Sequence, residues 1–409
     1  MIHRREFLAS LGLGAMFALS PQLAVATSAN AAASVAPVAS SRARRLLVLV
    51  ELKGGNDGLN TIVPFADPRY LQLRPRIGLK RDEVLRLDER TGAHPALAPL
   101  QPLWEANELA IVQSVGYAQP NLSHFRSIEI WDTASRSDQY LDEGWLGRAF
   151  ARFPGAADAA ADSVAVGGGD LGPLAGRRTR AVALSGTDQF QRLARNVGGV
   201  KDHGGNNGNN DMGARRSGAL SHLLKVESDV SAAATRLSGN YAFATAFPGG
   251  PFGDAVRTAC QIVARSGGVA AIRLTLNGFD THRNQPGAHA NLLRQLAEGL
   301  AALRAGLAEI DRWRDTLVMT YAEFGRRPQE NESSGTDHGT AAPQFVLGGR
   351  VRGGLHGEPP RLDRLDGNGN LPFAVDFRQL YATALDGWWG IPSADILGGR
   401  FAPLPLLRA

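Results

Sequence analysis

The chain has 409 residues, of which 44% are hydrophobic, enough to form one large globular domain or two smaller ones. Its net charge is +5, but the arginines are scattered and no run of basic residues with interleaved aromatics occurs, which argues against nucleic-acid binding. The single cysteine, Cys260, excludes an intramolecular disulfide, a metal cluster built on cysteines and a Cys-x-x-Cys redox site.

The N-terminus predicts an export signal over residues 1–31. Arg4 and Arg5 precede Phe7-Leu8 and an apolar stretch to residue 19, and small residues follow at positions 24–31. Paired arginines before a short apolar stretch are typical of the twin-arginine route, so we expect a periplasmic or secreted protein with the twin-arginine translocase as its partner during export. An amphipathic anchor helix is the alternative. Residues 32–44 are rich in Ala, Ser and Val and predict a disordered linker.

The mature chain, residues 45–409, predicts a single α/β domain with a mostly parallel sheet between helices. Apolar runs of the kind that form strands buried on both faces occur at residues 46–52, 109–115, 269–276, 316–321 and 344–347. Helical patterns cover about 288–313, a segment starting near Ser123, and residues 376–389. The stretch 151–250 is rich in Gly and Ala, includes a Gly/Asn tract at 203–210, and predicts an inserted loop-rich cap region.

Acidic and imidazole side chains follow the predicted strands, where the carboxyl ends of parallel strands meet and ligands bind. Asp57 follows the first strand and two glycines, and Asp280 and His282 follow the third. Residues two apart in an extended segment point the same way, so Asp280 and His282 predict a shared metal ion. Gln285 and His289 are close enough along the chain to support them. Helix or turn capping by Asp57 or by the Asp-x-His pair is the alternative.

Ser123 lies at a predicted helix start, beside His124. Free backbone N–H groups at that end of a helix favour an anionic phosphate, a sulfate or an alkoxide nucleophile. His124 would be a metal ligand, a general base, or a hydrogen-bond donor to the oxyanion that develops during the reaction. A simple Ser N-cap with a packed His124 is the alternative.

The fourth strand ends in another polar group of residues. Glu323 follows it directly, Arg326 is a candidate clamp for an anion, and Asp337 and His338 precede the fifth strand. His338 predicts a metal ligand, with Asp337 or Glu323 completing the set of ligands. A salt-bridged surface turn is the alternative interpretation.

Several motifs together resemble the bacterial "domain of unknown function 1501" family, over residues from about 44 to 389. They are Leu-Lys-Gly-Gly-Asn-Asp-Gly-Leu-Asn at 52–60, Ser-His-Phe at 123–125, Gly-Trp-Leu-Gly-Arg at 144–148, Phe-Asp-Thr-His at 279–282, Tyr-Ala-Glu-Phe-Gly-Arg-Arg at 321–327 and Gly-Thr-Asp-His-Gly at 335–339. This family looks like a branch of the alkaline phosphatase-like superfamily, which includes sulfatases, phosphatases and phosphoglycerate mutases.

The resemblance implies a sheet between helices with two metals at the carboxyl ends of its strands. Asp57 matches the superfamily's first metal-binding Asp, and Ser123 falls near the place of its nucleophile. Asp280 and His282 match later ligands, and His338 matches the final His ligand. Where the superfamily carries an adjacent Asp-His pair, this chain has Glu323 followed by Phe at 324.

Two hypotheses follow from these residues. The first is an exported hydrolase of phosphate or sulfate esters that uses one or two divalent ions (zinc, manganese, calcium or magnesium), with Ser123 as nucleophile and Arg326 or His124 stabilising the transition state. Its substrate would be a small anionic ester or an envelope-derived ester. The second is an exported binding or assembly protein of the cell envelope, with a degenerate site on the same fold.

Overall fold

A mostly parallel sheet organises the chain, as the sequence predicts, and it has nine strands. The computed structural model describes residues 44–155, 159–184, 241–265 and 268–408. In chain order its strands are β1 (Leu46–Lys53), β2 (Ile62–Val63), β3 (Leu85–Arg86), β4 (Gly92–Ala93), β5 (Leu109–Gly116), β6 (Ser163–Val166), β7 (Ala181–Leu184), β8 (Ala271–Asn277), β9 (Thr316–Tyr321), β10 (Arg326–Glu330), β11 (Thr336–His338), β12 (Ala342–Leu347), β13 (Gly354–His356) and β14 (Val375–Asp376).

The main sheet has the order β13-β5-β12-β9-β1-β8-β6-β7, and β14 also pairs with β5. Only β12 among these described strands runs antiparallel to its neighbours, β5 and β9. Strands β10 and β11 form a separate antiparallel pair, and β2, β4 and β3 form a small sheet of their own. Because β9, β1 and β8 are adjacent and parallel, the loops that follow them meet at one edge of the sheet.

Helices cover both faces of this sheet. Their bounds in chain order are α1 (Gly58–Thr61), α2 (Pro68–Leu73), α3 (Gln101–Glu105), α4 (His124–Thr133), α5 (Trp145–Arg152), α6 (Pro251–Arg265), α7 (Gln285–Glu309), α8 (Phe377–Ala382) and α9 (Ala394–Leu397). Short 3-10 turns cover Pro95–Leu100, Gly172–Leu174 and Trp313–Asp315, and a π-helical segment, Thr383–Trp389, continues α8.

The burial of β1 explains the layered arrangement. Val48 packs into one hydrophobic cluster with Leu293 of α7, whereas Leu47 packs into a second cluster with Trp131 of α4. Alternate side chains of a strand point to opposite faces, so an apolar run such as β1 buries both faces only when helices cover each of them. The core therefore lies in two layers, one on each side of the sheet.

Part of the stretch predicted as an inserted cap belongs to the sheet. Strands β6 and β7 lie within residues 151–250 and extend the sheet beyond β8. The remainder of that stretch from 185 to 240, with its Gly/Asn tract, lies outside the described residues, as do the predicted signal and linker up to residue 43. None of the described helices is long and apolar enough to span a membrane.

A buried ionic network underlies α4. Arg273 of β8 donates to Glu51 of β1 at 2.5 Å, to Asp170 at 2.6 Å and to the Tyr321 hydroxyl at 2.9 Å, and that hydroxyl donates to Asp132 of α4 at 3.4 Å. Burial raises the pKa of Asp132 well above its ordinary value of 3.8, although the Arg273 charge opposes the shift. Burial likewise raises the pKa of Glu51. The network holds two carboxyl groups that resist ionisation.

Replacing Asp132 by Asn is expected to flatten the pH dependence of stability. A raised folded-state pKa means that the contribution of Asp132 is full below its unfolded pKa of about 3.9 and is lost as pH rises through the folded value. We expect the free energy of unfolding, measured in urea at pH 5 and pH 8, to fall less with pH in Asp132→Asn than in the wild type. The exposed Asp138, whose pKa is lowered by its hydrogen bond to Arg136, is the control. Equal pH slopes for Asp132→Asn and wild type would contradict the prediction.

Candidate metal centre

Three imidazole rings converge on one carboxylate oxygen at the carboxyl edge of the sheet. The Oδ1 atom of Asp280 lies 3.0 Å from His282 Nε2, 3.2 Å from His338 Nε2 and 3.5 Å from His124 Nε2. The Nε2 atoms of His282 and His338 are 3.0 Å apart. Among the described residues, ligand atoms of His124, Asp280 and His338 all lie within 4.8 Å of one another. We call these four residues the His/Asp cluster.

The loops that carry the cluster come together because two glycines follow β1. Gly54 and Gly55 have positive φ angles of 116° and 81°, which side chains rarely tolerate. A Cβ on Gly54 would lie 2.4 Å from the backbone nitrogen of Asp280, and one on Gly55 would lie 2.5 Å from the Phe324 ring. The bare backbone after β1 therefore lets the loops after β8 and β9 approach each other.

Each ring of the cluster turns its second nitrogen, Nδ1, toward a separate acceptor. A neutral imidazole that donates from Nδ1 keeps its lone pair on Nε2, the atom that faces the centre of the cluster. Burial lowers the pKa of His338 below its ordinary value of 6.5, and hydrogen bonds to Leu122 and Asp280 offset the shift only in part. The acceptors are Glu323 Oε1 for His124 at 2.8 Å, the Leu122 carbonyl for His338 at 2.8 Å, and Asp337 Oδ1 for His282 at 3.4 Å.

Asp280 remains ionised next to these rings because of Arg326. Burial alone would raise the pKa of Asp280, but hydrogen bonds from Arg326 and His338 outweigh it and the pKa falls to about 2. Arg326 donates to Asp280 Oδ1 at 2.6 Å and is itself buried. Its other donors go to the carbonyl groups of Gly54, Gly55, Phe279 and Thr336, and one of them also lies 3.4 Å from His282 Nε2. The guanidinium predicted to clamp an anion is thus turned toward the protein.

Asp57 lies in a different buried network. Its Oδ2 atom accepts a hydrogen bond from Arg74 at 2.6 Å and another from Gln285, whereas Oδ1 has no hydrogen-bond partner within the part of the chain that the structure describes. Burial opposes ionisation, but the charge of Arg74 outweighs it, and the pKa of Asp57 is lowered. The carboxylate predicted as a first metal ligand is therefore neutralised by a guanidinium. Nothing in the sequence around Arg74 indicates this pairing.

Gln285 links this second network to the cluster. Its Oε1 atom accepts from the hydroxyl of Thr281, which lies between two cluster residues, at 3.0 Å, and from that of Thr336 at 2.6 Å. His289, also predicted to support the site, instead contacts Asn56 Oδ1 at 2.9 Å, and burial lowers its pKa to about 4. Gln285 therefore connects the Asp57 ion pair to the segments that carry the metal-type ligands.

Ser123 is exposed and forms the N-cap residue of α4 without a capping side-chain bond. Its two chain neighbours both touch the cluster region, since the Leu122 carbonyl contacts His338 and His124 contacts Asp280. Consecutive Cα atoms are about 3.8 Å apart, so the serine lies beside the cluster. The structure thus brings Ser123, His124, Asp280, His282, Glu323, Asp337, His338 and Arg326 to one edge of the sheet and assigns Asp57 to the Arg74 pair.

Phe324 fills space beside the cluster. Its ring centroid lies 4.4 Å from that of His338 and 4.9 Å from that of His124. An aromatic ring packed against two imidazoles limits their rotation and excludes water from that side. The Leu122 carbonyl and the packing of the Phe324 ring against two imidazoles are the parts of this site that the sequence did not predict.

Comparisons with known proteins identify a family for this chain and several solved structures of low similarity. A family model described as "Protein of unknown function (DUF1501)" matches residues 110–397. No curated protein matches the chain. The sulfatase PsFucS1 from Pseudoalteromonas sp. has a TM-score of 0.41 at 11% identity, with 91% of this chain and 74% of that chain covered.

Two further solved structures are similar at the same level. Ps i-CgsB in complex with k-i-k-neocarrahexaose has a TM-score of 0.40 at 10% identity, with 88% of this chain and 75% of that chain covered. The lipoteichoic acid synthase LtaP from Listeria monocytogenes has a TM-score of 0.34 at 9% identity, with 80% and 72% covered.

Proposed function

The chain belongs to the DUF1501 family, and we propose that it is a metal-dependent hydrolase of phosphate or sulfate esters. One observation carries the proposal: three imidazole nitrogens lie within 3.5 Å of a single carboxylate oxygen of Asp280. Side chains gathered in this way are the usual ligands of a divalent ion.

The residues of the His/Asp cluster fit such an ion. Two imidazole Nε2 atoms that both carry lone pairs repel each other at 3.0 Å unless a proton or a cation lies between them. Three imidazole nitrogens and one carboxylate oxygen suit zinc better than magnesium, calcium or manganese, which prefer oxygen ligands. When bound, the ion would supply Lewis-acid polarisation of the ester.

Ser123 is the nucleophile in this proposal. Its hydroxyl is exposed and makes no capping bond, so it is free to approach a substrate beside the cluster. The first helical hydrogen bond of α4 runs from Ser127 to the Ser123 carbonyl, so the N–H groups of His124, Phe125 and Arg126 precede it. N–H groups at a helix start favour a phosphate or sulfate group, and they would orient the ester toward Ser123.

Arg326 and Glu323 have supporting roles in this proposal. Arg326 donates to backbone carbonyls and to Asp280, and it also contacts His282 Nε2 at 3.4 Å, so it holds Asp280 ionised and in place. Glu323 contacts His124, and Asp337 contacts His282, each on the ring nitrogen that faces away from the cluster. The proposed ligands are therefore His124, Asp280, His282 and His338.

The proposal is tested by metal analysis of the purified protein together with turnover of aryl phosphates and aryl sulfates. We expect a bound divalent ion, and we expect Ser123→Ala to keep the ion while losing about 10³-fold or more in kcat, as loss of a nucleophile does. Ser333→Ala, which changes an exposed serine of the nearby 331–335 loop, is the control and should keep its activity. Metal-free protein, or turnover that Ser123→Ala does not alter, would refute the proposal.

A second candidate function is ion-dependent binding of an anion without turnover. The Phe324 ring favours it, because it packs against two rings of the cluster and occupies space beside the ligands. Bound ion with no turnover of either ester class, and anion binding that chelator removes, would support this candidate over the hydrolase.

A further inference from the structure

Glu323 is buried beside the His/Asp cluster, and its two carboxylate oxygens have different surroundings. Its exposure is only 2%. Its Oε1 atom accepts the backbone N–H of Gly54 at 2.9 Å and contacts His124 Nδ1 at 2.8 Å, whereas Oε2 is buried with no hydrogen-bond partner among the described residues. Both hydrogen-bonding contacts of the side chain, with the His124 ring and with the Gly54 amide, are therefore made by the single atom Oε1.

This contact determines which nitrogen of His124 carries the proton. Because Oε1 is already the acceptor for the Gly54 amide, the ring nitrogen that meets it must be a donor. A neutral ring with its proton on Nδ1 has its lone pair on Nε2, the atom that faces Asp280 at 3.5 Å. We propose that Glu323 is a positioning residue that sets the tautomer and the orientation of the His124 ring. The effect of Glu323 on metal binding rests on the proposed function.

The other two rings of the cluster are held differently. His338 uses a backbone carbonyl, that of Leu122, and His282 meets Asp337 at the longer distance of 3.4 Å, with the Asp337 side chain 54% exposed. A short hydrogen bond to a buried carboxylate is stronger than one to an exposed group. Glu323 is thus the side chain of the site whose removal most directly releases one imidazole.

Glu323 also fixes the first turn of α4. Its backbone carbonyl accepts the hydroxyl of Ser127, so the residue contacts α4 through both its side chain and its main chain. Helix α4 begins at His124 and is preceded by Ser123. Glu323 therefore holds the proposed ligand His124 directly and restrains the segment that carries the proposed nucleophile.

Loss of a carboxylate that orients a metal-binding imidazole lowers metal affinity by about 10–100-fold. Two substitutions of Glu323 separate the contribution of its negative charge from that of its hydrogen-bond acceptor. Glu323→Gln keeps an amide oxygen that accepts from Nδ1 but removes the charge, whereas Glu323→Leu removes the acceptor. Glu330→Leu is the matched control, because Glu330 is also buried and accepts from Arg76 and Ile77, and none of its hydrogen bonds within the described ranges is to an imidazole.

The decisive measurement is the ¹⁵N chemical shifts of the two ring nitrogens of His124 in ion-free, full-length protein at about pH 8. We expect the wild type, Glu323→Gln and Glu330→Leu to carry the proton on Nδ1, and Glu323→Leu to shift it toward Nε2. Zinc titration should then give a dissociation constant about 10–100-fold higher for Glu323→Leu, a smaller increase for Glu323→Gln, and no change for Glu330→Leu.

A wild-type His124 ring protonated on Nε2 would overturn the inference without any variant, so a Glu323→Leu protein that fails to fold does not leave it undecided. An unchanged tautomer in folded Glu323→Leu would overturn it as well. Wild-type protein that binds no ion, yet shows the Nδ1 proton and its dependence on Glu323, would refute the proposed function and leave the positioning role standing.

Discussion

An Arg74→Met protein is expected to be about 3–5 kcal/mol less stable than the wild type, the usual cost of removing one partner of a buried ion pair. Both side chains of the Arg74–Asp57 pair are fully buried, and their charged atoms are 2.6 Å apart. The substitution leaves Asp57 charged in the interior, where its Oδ1 atom already lacks a hydrogen-bond partner among the residues described. Urea unfolding at neutral pH measures the change in the free energy of unfolding.

Two further variants show whether charge burial is the cause. Arg69→Met removes a half-exposed arginine whose partner Asp67 lies 3.5 Å away, so it should cost less than about 1 kcal/mol. Adding Asp57→Asn to Arg74→Met removes the uncompensated charge and should restore more than about 1 kcal/mol of the loss. A cost for Arg74→Met no greater than that for Arg69→Met would contradict the prediction.

The sequence predicts Asp57 as a metal ligand but gives no indication that Asp57 pairs with Arg74. The position of Asp57 after β1 follows from the apolar run and the two glycines, both visible in the sequence. Its partner Arg74 follows α2, which leaves no pattern that points toward Asp57. Only the fold brings Arg74 to Asp57, since long-range contacts of this kind depend on how separate elements pack.

The central strands could be predicted because strands buried on both faces consist of nearly continuous apolar residues. The run at 46–52 matches β1 to within one residue, and the run at 316–321 matches β9. The antiparallel direction of β12 was not predicted, because an apolar run carries no information on direction. Strands β6 and β7 have four residues each and lie in a Gly/Ala-rich stretch, so they gave little periodic signal.

Helix α7 shows what the spacing of apolar residues can and cannot predict about a helix. The spacing of its leucines predicted a helix over about 288–313, and the structure has Gln285–Glu309, followed by a 3-10 turn at Trp313–Asp315. The apolar stripe identifies the helix, but its ends depend on Asn284 and Ile310, whose capping conformations no periodic pattern encodes. Helix existence is thus better determined by sequence than helix length.

Within the site, the sequence shows which ligand-type residues lie next to strand ends, but it does not show their hydrogen-bond partners. Asp280, His282 and His338 each lie next to a strand end, which is why the sequence could group them. The acceptor of His338 is the Leu122 backbone carbonyl, an atom that every residue type has. The assignment of Glu323 to the outer side of His124 likewise depends on a rotamer that only the packed structure determines.

Removal of divalent ions is expected to lower the melting temperature of the wild-type protein by several degrees. Binding to the folded state alone contributes about 2.7 kcal/mol when the free ion is at 100 times its dissociation constant. A change of 1 kcal/mol corresponds to roughly 2–4 °C in a domain of 150–250 residues. Differential scanning calorimetry with saturating zinc and then with chelator measures the difference.

The stabilisation should come from the His/Asp cluster and from no other histidine of the fold. His338→Ala removes a nitrogen that lies 3.2 Å from Asp280 Oδ1, so we expect it to lose most of the zinc-dependent rise in melting temperature. His356→Ala is the matched control: His356 lies on β13, where its ring contacts the Arg352 carbonyl at 3.0 Å, and its loss should leave the rise intact. A rise that survives His338→Ala would mean that the ion binds outside the His/Asp cluster.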